Sequence, residues 1–151
     1  MNQPATLPNG RILLCALGIT PGMLRSLPKI PVSGPALHAL VKTLIATLPF
    51  DEEFYAATYP DLAAARDCGS IADLRTHFVD HGYWEGRLGA PPQIDDDFYR
   101  DTYPDVAAAI ARGEFTSPLD HFIKADAAEG HVATARDMQG CRDWQTLLAQ
   151  V

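Results

Sequence analysis

His77 and His81 stand four residues apart, the spacing at which two imidazoles on one helix face can share a metal ion. A zinc site needs further ligands, and neither a cysteine nor a third histidine lies nearby in the sequence. Two acid clusters, Asp51-Glu52-Glu53 and Asp95-Asp96-Asp97, bring calcium binding and paired-carboxylate hydrolysis to mind. Calcium loops spread their ligands around a glycine bend, which is missing here. Glycoside hydrolysis needs two carboxyls facing each other across a cleft, and nothing in the pattern sets such a pair. Neither G-x-S-x-G, H-E-x-x-H nor a phosphate-cradling glycine loop occurs. The expectation is a protein that is not an enzyme, with no catalytic, cofactor-binding or metal-ligating residues and no cofactor.

A different chemistry is offered by Tyr83 and Trp84, followed by Arg87 and preceded by Asp80. Flat amphipathic rings on a turn present an apolar face to a sugar or a partner side chain while their polar atoms stay wet. These four residues are the candidate ligand or partner contact. The competing expectation is that Trp84 tucks between two packed units.

Those units are visible as a duplication. At an offset of 44, residues 51–87 fall on residues 95–131 without a gap, and 15 of the 37 aligned positions are identical. The shared signature is Phe54-Tyr55, Tyr59-Pro60-Asp61, His77-Phe78 and Glu85-Gly86, matched by Phe98-Tyr99, Tyr103-Pro104-Asp105, His121-Phe122 and Glu129-Gly130. Such periods mark supersecondary units that bury their apolar faces against each other and serve recognition more often than catalysis. The copies differ at the turn, where Gly82-Tyr83-Trp84 becomes Asp126-Ala127-Ala128 and Arg87 becomes His131.

Each unit reads as three short helices. Asp51 and Asp95 are caps, with acids in the first turn where the helix dipole favours them. Tyr59-Pro60 and Tyr103-Pro104 are bends, because a residue before proline avoids the helical region, and Gly69 and Gly113 suit the left-handed stop of the second helix. The third helix is expected to open at Ser70 or at Ser117-Pro118, burying Ile71, Leu74 and Phe78 in one copy and Leu119 and Phe122 in the other. His77 and His121 are expected half-buried, each bonded to a backbone carbonyl or to an acid such as Asp61 or Asp105.

The whole is therefore expected to be all-α. Residues 1–33 form a basic, proline-rich, loosely structured arm with a short helix opening at Thr20-Pro21. Residues 34–49 hold an amphipathic helix capped by Ser33, its stripe Leu37, Leu40, Val41, Leu44, Ile45 and Leu48 covered most simply by the unit that follows. Residues 50–92 are repeat 1, residues 93–132 repeat 2, and residues 133–151 a C-terminal helix whose Trp144, Leu147, Leu148 and Val151 close the stack.

Charge narrows the partners. The net charge of -7 hides a split: four bases and no acid in residues 1–50, against 19 acids and eight bases beyond. A general polyanion binder clusters Lys and Arg, so nucleic acid is not expected. The basic arm suits docking on the acidic repeats, on an acidic protein or on an anionic membrane surface. Cys15, Cys68 and Cys141 are odd in number and far apart, which fits a reducing compartment. The apolar run Ile12–Ile19 is too short to span a bilayer, so the expected location is cytoplasmic, with a peripheral position at the inner membrane as the alternative.

From Phe50 onward the chain resembles a short bacterial repeat of the form F-D-x-x-[FWY]-Y-x-x-x-[YN]-P-D-V-A-A-A … H-[YF]-x-x-x-G-x-x-E-G-R. That repeat occurs beside glycosyltransferase and other polysaccharide-related domains and in large surface proteins. The resemblance covers residues 50–92 well and 94–131 less completely. It implies a non-catalytic interaction module, an accessory or adaptor protein for a surface-polysaccharide or envelope assembly, meeting a protein partner through the arm or the repeat surface. Two alternatives stand beside it: direct glycan binding through Tyr83 and Trp84, and a membrane-surface adaptor working through the arm. Two repeats are few for a stable stack, so help from flanking helices or a second subunit, as a homo-oligomer, is also expected.

Overall fold

The computed structural model describes residues 9–149, apart from the side chains of residues 126–129. Every regular element among them is helical, as expected. The chain divides into two compact units, one ending at Leu48 and the other beginning at Pro49.

In the first unit the arm is more ordered than its prolines suggest. Helix α1 (Gly10–Ala16) is capped by the Asn9 side chain, which accepts from the Ile12 amide. Helix α2 (Pro21–Ser26) opens at the expected Thr20-Pro21 cap. Proline stands at the first helical position, where a missing N–H costs nothing, so it starts this helix rather than preventing it. Between the two, Gly18 turns left-handed (φ 68°) and brings Ile19 into a buried position.

Helix α3 (Gly34–Ile45) is capped by Ser33 Oγ, as expected. Its stripe is only partly covered: Ile45 is buried, whereas Leu37, Leu44 and Leu48 are exposed. The helix belongs to the first unit. Two one- or two-turn helices offer too little surface to cover a stripe this wide.

The second unit carries the duplication. Helices α4 (Glu52–Thr58) and α5 (Pro60–Asp67) correspond to α7 (Asp96–Thr102) and α8 (Pro104–Ala111) at the offset of 44. Asp51 accepts from the Phe54 amide (2.9 Å) and Asp95 from the Phe98 amide (3.0 Å). The bend residues repeat almost to the degree, Tyr59 at φ -124°, ψ 78° and Tyr103 at φ -122°, ψ 79°.

The third element differs between copies. In repeat 1 it opens at Asp73, not Ser70. Asp73 accepts from the Thr76 amide, while the Ser70 hydroxyl is engaged with the Cys68 thiol at 3.0 Å. Helix α6 (Leu74–His77) then widens into a π-helical turn, Phe78–Gly82. In repeat 2, Ser117 caps α9 (Pro118–Glu129) as expected. Asp73 and Ser117 are 44 apart, so the true caps keep the register. Leu119 is 41% exposed, contrary to expectation, because Pro118, His121 and Phe122 turn inward at i, i+3 and i+4. Ile71, ahead of the late cap, is only half-buried.

Each repeat folds back on itself through equivalent bonds. The Leu88 amide donates to Tyr59 Oη and the Val132 amide to Tyr103 Oη, both at 2.9 Å. The Asp51 amide donates to the Gly89 carbonyl (2.8 Å) and the Asp95 amide to the Ala133 carbonyl (3.2 Å). Tyr55, Leu62, Leu74 and Phe78 are the buried centre of repeat 1. Tyr99, Val106 and Phe122 form that of repeat 2, joined by Ala133 just beyond it and by Leu88 from the end of repeat 1.

Helix α10 (Ala135–Ala149) forms where a C-terminal helix was expected, capped by Thr134. It buries none of its residues, so Trp144, Leu147 and Leu148 do not close the stack. Val151 and residues 1–8 lie outside the described residues. No helix among the described residues is long and apolar enough to cross a membrane.

Candidate functional site

The turn after the π-helical segment is built outward from Tyr55. Its ring is fully buried, packed edge-on to Tyr59 (centroids 4.9 Å) and Phe78 (5.8 Å). Burial pushes its phenol up to about 12. The hydroxyl shares a hydrogen bond with His77 Nδ1 at 3.2 Å, and a Cβ added at Gly82 would collide with it. A π turn of this kind inside a helix is frequently found at functional sites.

Immediately beyond it, Tyr83 packs edge-on to Phe78 (6.2 Å, 86°), and Trp84 stands perpendicular to Tyr83 (5.8 Å, 90°). Tyr83 is 44% and Trp84 48% exposed. The tryptophan therefore does not tuck between the repeats. The two rings make a corner open to solvent, anchored from below by Phe78 and terminated by Gly86 in the left-handed region (φ 77°).

Arg87 does not join that corner. Its guanidinium lies over the Tyr59 ring at 4.8 Å, with Nε on Glu85 Oε2 at 2.7 Å and Nη1 4.0 Å from Asp61 Oδ2. The cation is drawn inward by a π face and two carboxylates, and the bond from Arg87 holds the Glu85 carboxyl below its usual range. Repeat 2 shows what the exchange to His131 preserves: its imidazole stacks on Tyr103 at 3.9 Å and 24°. The Arg87 and His131 positions carry one structural role, a planar group laid on the second tyrosine. The alignment held that signal, but only the stacking gives it meaning.

Asp80 is half-buried and lines a shallow depression of about 150 Å³ with Ile71, Ala72, Asp73, Thr76, His77 and His81. Burial, and then the nearby Arg87 charge, hold the His77 imidazole below its ordinary value. His77 Nδ1 bonds the Tyr55 hydroxyl and His121 Nδ1 meets Tyr99 Oη at 3.0 Å, tyrosine partners that the sequence does not announce, and His121 is buried rather than half-buried. His77 and His81 have ring centroids 5.6 Å apart, yet no group of three or more His, Cys, Asp or Glu among the described residues is placed to hold a metal ion. Of the four contact residues, Tyr83 and Trp84 come together, while Asp80 belongs to the depression and Arg87 to the tyrosine frame.

The other signature residues, Phe54, Pro60, Phe98, Pro104 and Gly130, lie at the caps, bends and turn that repeat, and the Glu129 side chain falls outside the described residues. Compared with protein-family models, curated proteins and solved structures, the chain matches none.

Proposed function

We propose that the chain is a non-catalytic recognition module, an accessory or adaptor protein of a bacterial surface-polysaccharide or envelope assembly. The carrying observation is the open Tyr83–Trp84 corner, two half-exposed rings anchored on a buried aromatic frame. Rings fixed in advance lose little freedom on binding, which is why Tyr and Trp recur at contact centres. The assembly itself is suggested by the repeat's resemblance, and the contact is with a protein of that assembly or with its glycan. The proposed location is the cytoplasm, a peripheral position at the inner membrane being the alternative that goes with the second reading below.

Trp84→Ala tests the reading. Half-exposed, the side chain contributes little to folding, so the variant should melt within a few degrees of wild type while losing at least about tenfold in affinity for material co-purified from the native host. Undiminished capture would remove Trp84 from the function.

A second reading is favoured by the arm. Ile12, Leu24, Leu27 and Val32 are 58%, 56%, 46% and 38% exposed among Arg11, Arg25 and Lys29, a composition suited to anionic lipid. Flotation with anionic vesicles that is indifferent to deletion of residues 1–32 would discard it.

A further inference from the structure

Helix α10 is an anomaly of packing. A 15-residue helix is marginal on its own in water, yet this one buries no residue and leaves Trp144 65%, Leu147 56% and Leu148 63% exposed. These side chains share one face with Gly140 and Cys141, at spacings of three and four on either side of Trp144. A glycine inside a helix lowers its stability, and among the described residues nothing lies within 4 Å of where a Cβ of Gly140 would stand, so no contact among them calls for it.

The face is complementary to itself. Laid antiparallel on a copy of itself and centred on Trp144, it sets Gly140 against Leu148, Cys141 against Leu147, and Trp144 against Trp144. Small residues then meet large ones on either side of the central Trp144 pair, the arrangement that lets two helices interdigitate. A parallel pair would set Gly140 on Gly140 and leave a gap. The charges agree. Arg136 and Arg142 balance Asp137 and Asp143, so α10 is neutral, whereas residues 51–151 carry 19 acids and eight bases. Two strongly acidic bodies repel, and this helix is a face along which they can approach.

We infer that α10 is a homodimerisation element, pairing antiparallel with the same helix of a second copy about Trp144. One helix pair stands at the low end of specific interfaces, so the dimer is reversible and its population depends on concentration.

Sedimentation equilibrium of the full chain tests this across a wide concentration range. Wild type should show a monomer–dimer equilibrium, and Trp144→Glu should weaken it about thirty-fold or more. Gly140→Leu separates pairing from folding: it should raise helix content by circular dichroism yet weaken the dimer, because the new side chain fills the space of the facing Leu148. A chain that stays monomeric throughout overturns the inference, whether or not another protein covers the face. So does a dimer untouched by Trp144→Glu, and a dimer that tolerates Gly140→Leu excludes the antiparallel register.

Discussion

Tyr55 and Tyr99 show how one side chain type can be read from sequence while its work cannot. Their recurrence at an offset of 44 marks them as structural, and both prove fully buried. Their hydroxyls, however, meet histidines 22 residues away in the chain, a pairing without local signal. Tyr55→Phe keeps the ring and loses that bond, and should cost about 1 kcal/mol in urea unfolding. The cost should be larger for Tyr99→Phe, whose hydroxyl meets both His121 and His131. Since burial lowers the His77 value, the unfolded chain takes up this proton first as pH falls. Stability from this group is therefore complete above the ordinary histidine value of about 6.5 and is lost as pH falls from there through the folded value. His77→Gln should accordingly flatten the acid side of a plot of urea midpoint against pH. An unchanged slope would clear His77 of the effect. Gly89 was illegible altogether: its counterpart is Ala133, and only the fold reveals that a Cβ at Gly89 would sit 2.7 Å from the Phe78 ring.

Helix boundaries divide according to what fixes them. Asp51, Asp95, Ser33 and Thr20 act as caps where the sequence placed them, because a cap is a bond between neighbours three residues apart. Asp51→Ala and Asp95→Ala should each lower unfolding free energy by about 1 kcal/mol, and the double variant by the sum, since they serve separate helices. Chemical denaturation of the three variants measures this, and a marked departure from the sum would mean that the repeats communicate through their caps. The start of α6 was misplaced because Ser70 and Asp73 both had cap-forming side chains. In the fold Asp73 takes the cap, while the Ser70 hydroxyl meets the Cys68 thiol. The π turn has no local signal either, and at its end the Tyr55 hydroxyl stands where a Cβ on Gly82 would be. Repeat 2, with Asp126 at that position, continues as α-helix.

For the molecule, the segment after each Glu-Gly turn does more than link. Leu88 donates its amide to Tyr59 in repeat 1 while it packs against the cluster that Tyr99, Val106 and Phe122 of repeat 2 form with Ala133. Leu88→Ala should therefore cost about 2 kcal/mol and move the unfolding of both repeats together. Two transitions, with only the later one shifted, would show that the repeats fold independently. The same tight closure leaves the Tyr83–Trp84 corner outside, where the second copy has Ala127 and Ala128 in its sequence. Repetition thus supplies the frame, and divergence at one turn supplies the candidate contact.

Helical class, the duplication, the tyrosine–proline bends and most caps were determined by the sequence alone, because each rests on neighbours, on periodicity or on the fixed φ of proline. The tertiary structure decided which apolar side chains are covered. Leu37, Leu44 and the α10 stripe have the pattern of core residues yet stay exposed. It also turned Arg87 inward and left Trp84 out. Burial depends on what a face meets across space, and amphipathic spacing states only that a face exists.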